Sequence, residues 1–185
     1  MRRLDLKSVI IINIGITSGL SLVSLFFPIV RFEGYAVSGM VSMISSKLSY
    51  FGTSVEFKAL DATSFLSVLV LGNIILTFVF LTLYWIRNLD KYLILALLAN
   101  LLMFSILMSL IRLTVDDILP VLLPQLKVSG SGGVLYFNEP VITYTFMYTL
   151  LSKFRFIYWI FFLSLMILFG YLLGDYYRIW GEQNG

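Results

Sequence analysis

The chain is predicted to be an all-α membrane protein: a four-transmembrane-helix bundle carrying a small extracytoplasmic β-sheet formed by two long loops. Three observations predict it. Of 185 residues, 59% are apolar and 12% charged, and the mean hydropathy is +0.96, well above that of a water-soluble globule. Four separate segments reach the length of about 20 apolar residues that a hydrocarbon core of about 30 Å requires, none with an internal Asp, Glu, Lys or Arg. The two long stretches between them are rich in β-branched and aromatic residues, more than a tether needs.

The spans are placed at residues 8–30, 65–86, 92–111 and 156–174, in a single integral membrane domain covering 1–185. Lys7, Arg31, Arg87, Lys91, Arg112, Arg155 and Asp175 stand just outside them, because a charge in hydrocarbon costs several kcal/mol. The link Asn88-Leu89-Asp90 is so short that spans two and three must form an antiparallel hairpin, which puts the loops at 31–64 and 112–155 together on the opposite side. Arg2, Arg3, Lys7, Arg87, Lys91 and Arg178 crowd the termini and the short link, whereas Arg31, Lys47, Lys58, Arg112, Lys127, Lys153 and Arg155 are diluted along the loops. Both termini are therefore expected in the cytoplasm. The first span lacks an Ala-x-Ala-like cleavage site and reads as a signal anchor. Tyr84, Trp85, Tyr92, Tyr176, Tyr177 and Trp180 supply an aromatic belt at the inner boundary.

In the first loop, residues 55–60 alternate as a strand does, and 31–35 are a weaker strand candidate. Met40, Met43, Ile44, Leu48 and Phe51 recur at helical spacing, predicting a short amphipathic helix. In the second loop, 126–128 and 134–137 flank the turn-forming segment 129–133 and predict a hairpin. Thr114-Val115-Asp116-Asp117 resembles a helix start, with the acids as caps, and Pro120 and Pro124 predict that the segment through Leu126 is a broken or interfacial helix. Residues 138–155 stay open between a helix begun at Asn138-Glu139-Pro140 and a strand over 143–146.

Polar residues within the spans follow a pattern. Asn13, Thr17, Ser21, Ser24 and Pro28 lie along one side of span one, while Asn73 and Asn100 place one amide in each of the next two spans. Asn13, Thr17, Ser21, Ser24, Asn73 and Asn100 are the candidate interhelical polar contacts, since an unsatisfied amide in lipid is costly. On span four, Phe161, Ser164, Leu168, Tyr171, Asp175 and Arg178 alternate steps of three and four, the spacing of a packing seam. Asp175 and Arg178 are a candidate ion pair at the membrane boundary.

Nothing in the sequence points to catalysis. With no Cys and no His, disulfides, thiolate and imidazole chemistry and the commonest metal and haem ligands are excluded. The carboxylates follow no metal-loop pattern, and Asp61, three residues before Ser64, reads as a helix cap. The glycines at 130–133 precede no Lys-Ser or Lys-Thr, so they make no phosphate loop. No cofactor, metal or nucleic acid is expected.

Four spans, two outer loops and an outer sheet make the layout similar to that of the claudin and peripheral-myelin-protein families. The similarity is one of topology alone. Tryptophan occurs only at 85, 159 and 180 and cysteine not at all, so the Gly-Leu-Trp and paired Cys of the claudin first loop have no counterpart and no site residue carries over.

The sequence thus predicts a non-enzymatic multi-pass protein of the cell membrane, a structural, accessory or interaction subunit. It would contact the lipid bilayer and, through its outer loops, a protein partner or further copies of itself. The alternative is an oligomeric channel or transporter component with a polar path along span one.

Overall fold

A computed structural model describes residues 6–55, 59–127, 130–132 and 135–184. The chain is mostly helical, with four helices long and apolar enough to span a membrane, Leu6–Phe26, Thr63–Arg87, Asp90–Leu126 and Phe156–Arg178, and a small antiparallel sheet. The helices are α1 (Leu6–Phe26), α2 (Ala59–Arg87), α3 (Asp90–Arg112), α4 (Leu119–Leu126), α5 (Phe146–Ser152) and α6 (Phe156–Asn184). The strands are β1 (Val30–Glu33), β2 (Val37–Val41), β3 (Ser46–Tyr50), β4 (Thr53–Val55), β5 (Gly130–Gly132), β6 (Leu135–Phe137) and β7 (Val141–Tyr144). Two compact units emerge: a helical unit of Met1–Leu22, Leu69–Ile106 and Phe156–Gly185, and a sheet unit of Val23–Val68 and Leu107–Arg155.

Within the helical unit, α3 is the most enclosed element. Leu93, Ala96, Leu97, Asn100, Met103 and Phe104 are all buried, at the steps of three and four that make one broad stripe. Helix α1 buries Ile10, Ile14, Thr17, Ser18 and Ser21. The portion of α2 in this unit buries only the line Val70, Ile74 and Thr77, and α6, among the residues whose burial is described, only Tyr158, Leu165 and Leu172, the Tyr158 ring stacking on Phe104 at 6.0 Å. Their other faces expose Ile75, Val79, Ile160, Leu163 and Ile167, so these helices are apolar all round. Between α2 and α3 the chain reverses at Asn88, whose φ of 50° suits an amide side chain at the left-handed position ending a helix. Its N–H donates to the Tyr84 carbonyl at 2.7 Å.

The sheet unit is built on the order β4-β3-β2-β1-β7, antiparallel throughout, with Arg31 opposite both Met40 and Thr143. Four strands come from the first loop and the fifth from the second, so one hydrogen-bonded body unites the two loops. Val30, Phe32, Val37, Val41 and Leu48 are buried on one face, while Arg31, Glu33, Met40, Lys47 and Thr143 are exposed on the other. Gly39 is obligatory: its φ is +137°, and a Cβ there would sit 1.9 Å from the Lys47 carbonyl oxygen.

Several expectations are corrected. The amphipathic helix expected around 40–51 is two strands, β2 and β3, joined at a turn where Ser42 Oγ accepts from the Ser45 N–H at 3.1 Å. Met43 and Leu48 are buried as the helical reading required, but through strand pairing and a turn. Of the strand expected at 55–60, Val55 ends β4, Ala59 already begins α2, and 56–58 lie outside the described residues. Asp61 is therefore inside the first turn of α2 rather than at its cap. Span one ends at Phe26, because Pro28 cannot donate a further helical bond and Val30 enters β1.

No helix starts at 114–117. Helix α3 runs on through a π-helical turn, Leu113–Ile118, into α4, and the Leu119 N–H bonds back to the Thr114 carbonyl. The wider register falls just before Pro120, whose ring would collide with the carbonyl of an ordinary turn. Leu119, Leu122 and Leu126 form the buried side of α4, which removes Leu126 from the strand expected at 126–128; Val128 lies outside the described residues. The hairpin strand is instead Gly130–Gly132, inside the segment expected to be the turn, paired with Leu135–Phe137; residues 129, 133 and 134 lie outside the described set. Beyond it, β7 and then α5 occupy the stretch left open, with Thr145 as the hinge: its hydroxyl lies 2.6 Å from the Pro28 carbonyl oxygen and 3.0 Å from that of Ile29.

Candidate functional site

Two groups of polar residues stand out, one in each unit. In the helical unit the candidate contacts meet on Asn100, buried at the middle of α3. Its Nδ2 donates to Ser18 Oγ at 3.1 Å, and its Oδ1 lies 2.8 Å from Thr17 Oγ1. The single Thr17 proton also has the Asn13 carbonyl within 2.8 Å, so one hydroxyl serves competing acceptors. Asn13 Nδ2 donates to Ser164 Oγ at 3.0 Å, linking α1 to α6, while Asn13 Oδ1 is buried with no partner among the described residues. Ser21 turns back on its own helix, to the Thr17 carbonyl at 2.7 Å. Asn73 does the same, donating to the Leu69 carbonyl at 2.9 Å, and among the described residues it bridges no helices. Ser24 belongs to the sheet unit and is buried there.

Asp175 and Arg178 are paired, Oδ1 to Nη2 at 3.2 Å, beside a shallow depression opened by Gly170 and Gly174. A second pair in this unit, Lys7 Nζ to Asp90 Oδ1 at 2.7 Å, ties the start of α1 to the α2–α3 hairpin. In the sequence Lys7 registers only as a charge flanking span one and Asp90 only as part of the short link; 83 residues apart, they share no spacing signal.

In the sheet unit, Asp116 and Asp117 are expected as helix caps. Asp116 instead receives a two-pronged guanidinium, Arg155 Nη1 to Oδ2 and Nη2 to Oδ1, both 2.8 Å. Arg155 Nε donates to the Leu151 carbonyl at 3.2 Å, so one side chain clamps the π-helical turn to the end of α5. The hydrogen bonds it donates to the Asp116 carboxylate hold the guanidinium pKa above its ordinary value. Among the described residues no three carboxylates lie together where a metal ion would be held.

The sheet's exposed face carries a shallow pocket of about 400 Å³ lined by Arg31, Phe32, Glu33, Gly39, Met40 and Lys47. Around the unit Tyr35, Met40, Phe51, Tyr136, Val141, Tyr144 and Phe146 expose large apolar side chains. Sequence reasoning misses this surface because it places Met40 and Phe51 on a helix. The Phe51-Gly52 pair is the signal that could have found it, since Gly after a β-prone run marks a hairpin turn. Comparison of the chain with protein-family models, with curated proteins and with solved structures found no match.

Proposed function

We propose that the chain is a non-enzymatic multi-pass protein of the cell membrane, a structural, accessory or interaction subunit that works through its two loops, with both termini in the cytoplasm. One observation carries this reading: the loops form a single five-stranded sheet body that exposes Tyr35, Met40, Val141, Tyr144 and Phe146. Large apolar side chains gathered outside the expected spans fit a protein contact, where aromatic residues and Met supply most of the affinity. A permeation role has less support. Thr17, Ser18 and Asn100 bond one another and Asn73 bonds its own helix, which leaves few polar groups to line a path.

The test is extraction into native nanodiscs, determination of the intact mass and mapping of crosslinks. An assembly heavier than the 21.1 kDa chain, crosslinked through residues 30–50 or 141–146, is the expected outcome. A monodisperse monomer without crosslinks through the loops counts against the reading. Flux through liposomes that disappears when Asn13, Thr17 and Ser21 are replaced together would favour the permeation alternative.

A further inference from the structure

The strands of the five-stranded sheet hold three charged residues, Arg31, Glu33 and Lys47, and all three line the one shallow depression on its exposed face. A face charged only for solubility would scatter them. The ion pairs among the described residues are Lys7–Asp90, Arg155–Asp116 and Arg178–Asp175, so these three charges stand unpaired among them.

Strand register explains how the charges gather. Met40 has Arg31 opposite it on one side and Lys47 on the other, so the two cations share a row although they are distant in sequence. With neighbouring strands about 4.8 Å apart, their Cα atoms are about 10 Å apart and both side chains rise from the same face. An Arg and a Lys of that separation can reach one small anion placed over Met40, which is 41% exposed. The guanidinium offers parallel N–H donors that match phosphate oxygens, and the ammonium adds a point charge. Glu33 stands two residues along β1, about 7 Å beyond the row and opposite Val141. Two cations against one carboxylate leave the depression one positive charge in excess.

The row also has a definite place relative to an apolar helix. Helix α1 ends at Phe26, the Ile29 N–H donates to the Val41 carbonyl at 2.7 Å, and Val30 pairs with Val41, so Arg31, Met40 and Lys47 form the next row. The cations stand toward the helix end and the carboxylate farther along the strand. A lipid interface has the same order, with phosphate next to hydrocarbon and the polar end of the headgroup outside it.

We propose that this depression binds the headgroup of an anionic phospholipid, with the phosphodiester between Arg31 and Lys47, the glycerol backbone against Met40 and the headgroup hydroxyls toward Glu33. The proposal goes beyond the protein-contact reading and needs only the membrane placement that both share. Glu33 sets the preference: it accepts hydrogen bonds from hydroxyls and repels a second negative charge, so a singly charged phosphodiester suits the site better than a dianion.

The test uses the full chain, purified in an uncharged detergent and stripped of lipid, then titrated with short-chain phosphatidylglycerol or phosphatidylcholine while native mass spectrometry counts the lipid retained. One phosphatidylglycerol per chain, held at least fivefold more tightly than phosphatidylcholine, is the expected result. Arg31→Gln and Lys47→Gln should each weaken it about fivefold, the effect of one basic residue at an anionic surface. Arg31→Lys and Lys47→Arg should keep most of the affinity, and Glu33→Gln should raise it about threefold or more, a direction that a folding defect does not produce. Lys127→Gln, exposed beyond the sheet, should change nothing. Equal retention of the two lipids, an equal loss in Lys127→Gln, or weaker binding in Glu33→Gln overturns the proposal. Displacement of the lipid by an equal concentration of inorganic phosphate would assign the site to free phosphate and also overturns it. Flotation of the chain with vesicles separates the two levels. A chain that floats with neither phosphatidylcholine vesicles nor those containing phosphatidylglycerol loses the membrane reading and the lipid with it, whereas flotation with both and no preference in the titration removes the lipid site alone.

Discussion

In the helical unit every buried stripe is written within a single helix, and Asn100 finds Thr17 and Ser18 on a helix whose own polar side is periodic. In the sheet unit the decisive pairing, Arg31 with Thr143, joins residues separated in sequence by two of the long helices. The first kind of order can be read from local spacing. The second depends on a partner that local spacing does not contain; the β2–β3 hairpin at 40–51, although local, is lost for another reason, its apolar positions fitting a helical period as readily as a strand's. Strands are thus where reading fails first: of the apolar positions chosen at 40–51, Met43 and Leu48 are buried but Met40 and Phe51 are exposed.

The comparison can be broken at Gly39, where the largest effect is expected. Gly39→Val puts a Cβ against the Lys47 carbonyl and a branched side chain at φ +137°, and should cost on the order of 3 kcal/mol or more. Hydrogen exchange should show protection lost over 30–50 and retained over 93–104. Loss of protection in both segments together would mean that the two units do not respond separately.

Asn100→Leu comes next. It removes the hub that contacts both Thr17 and Ser18, for an expected loss of about 1–2 kcal/mol, given that hydrogen bonds between membrane helices are individually modest. Reversible unfolding in mixed micelles measures it, and Asn73→Leu, which breaks only a bond to its own helix, should cost clearly less. Arg155→Ala should lose about 1 kcal/mol, since its two-pronged pair with Asp116 is well oriented but partly exposed. A double-mutant cycle with Asp116→Asn isolates that coupling. The smallest effect is expected from Asp175→Asn, below about 0.5 kcal/mol, because the i,i+3 pair with Arg178 is largely solvated.

Legibility in the sequence divides along the same line. The four apolar helices and the α2–α3 hairpin were legible because charges flank uninterrupted apolar runs, and the ends that moved did so for local reasons, Pro28 stopping α1 early and the π-helical turn carrying α3 on to α4. The existence of a small sheet was legible, and so was its β1 strand. Its composition was not: 40–51 reads as a helix where β2 and β3 stand, and β7 is one of two open choices. Among the candidate contacts, the spacing of Asn13, Thr17 and Ser21 marks one side of α1, but spacing on one helix cannot name Ser18 or Ser164 as the groups opposite. The Arg155–Asp116 clamp was invisible for the same reason, because each charge also fits a local role beside a helix end.

The central claim is that the two loops fold as one body presenting a shared contact surface. The chain has no native cysteine, so a pair introduced as Arg31→Cys and Thr143→Cys tests it without background. Cross-strand neighbours in an antiparallel sheet lie at a separation a disulfide can bridge. In intact membranes the account expects rapid intramolecular disulfide formation on mild oxidation, and labelling of both single-cysteine variants by an impermeant maleimide from the same side. Two cysteines that never join, or that are labelled from opposite sides, would contradict it.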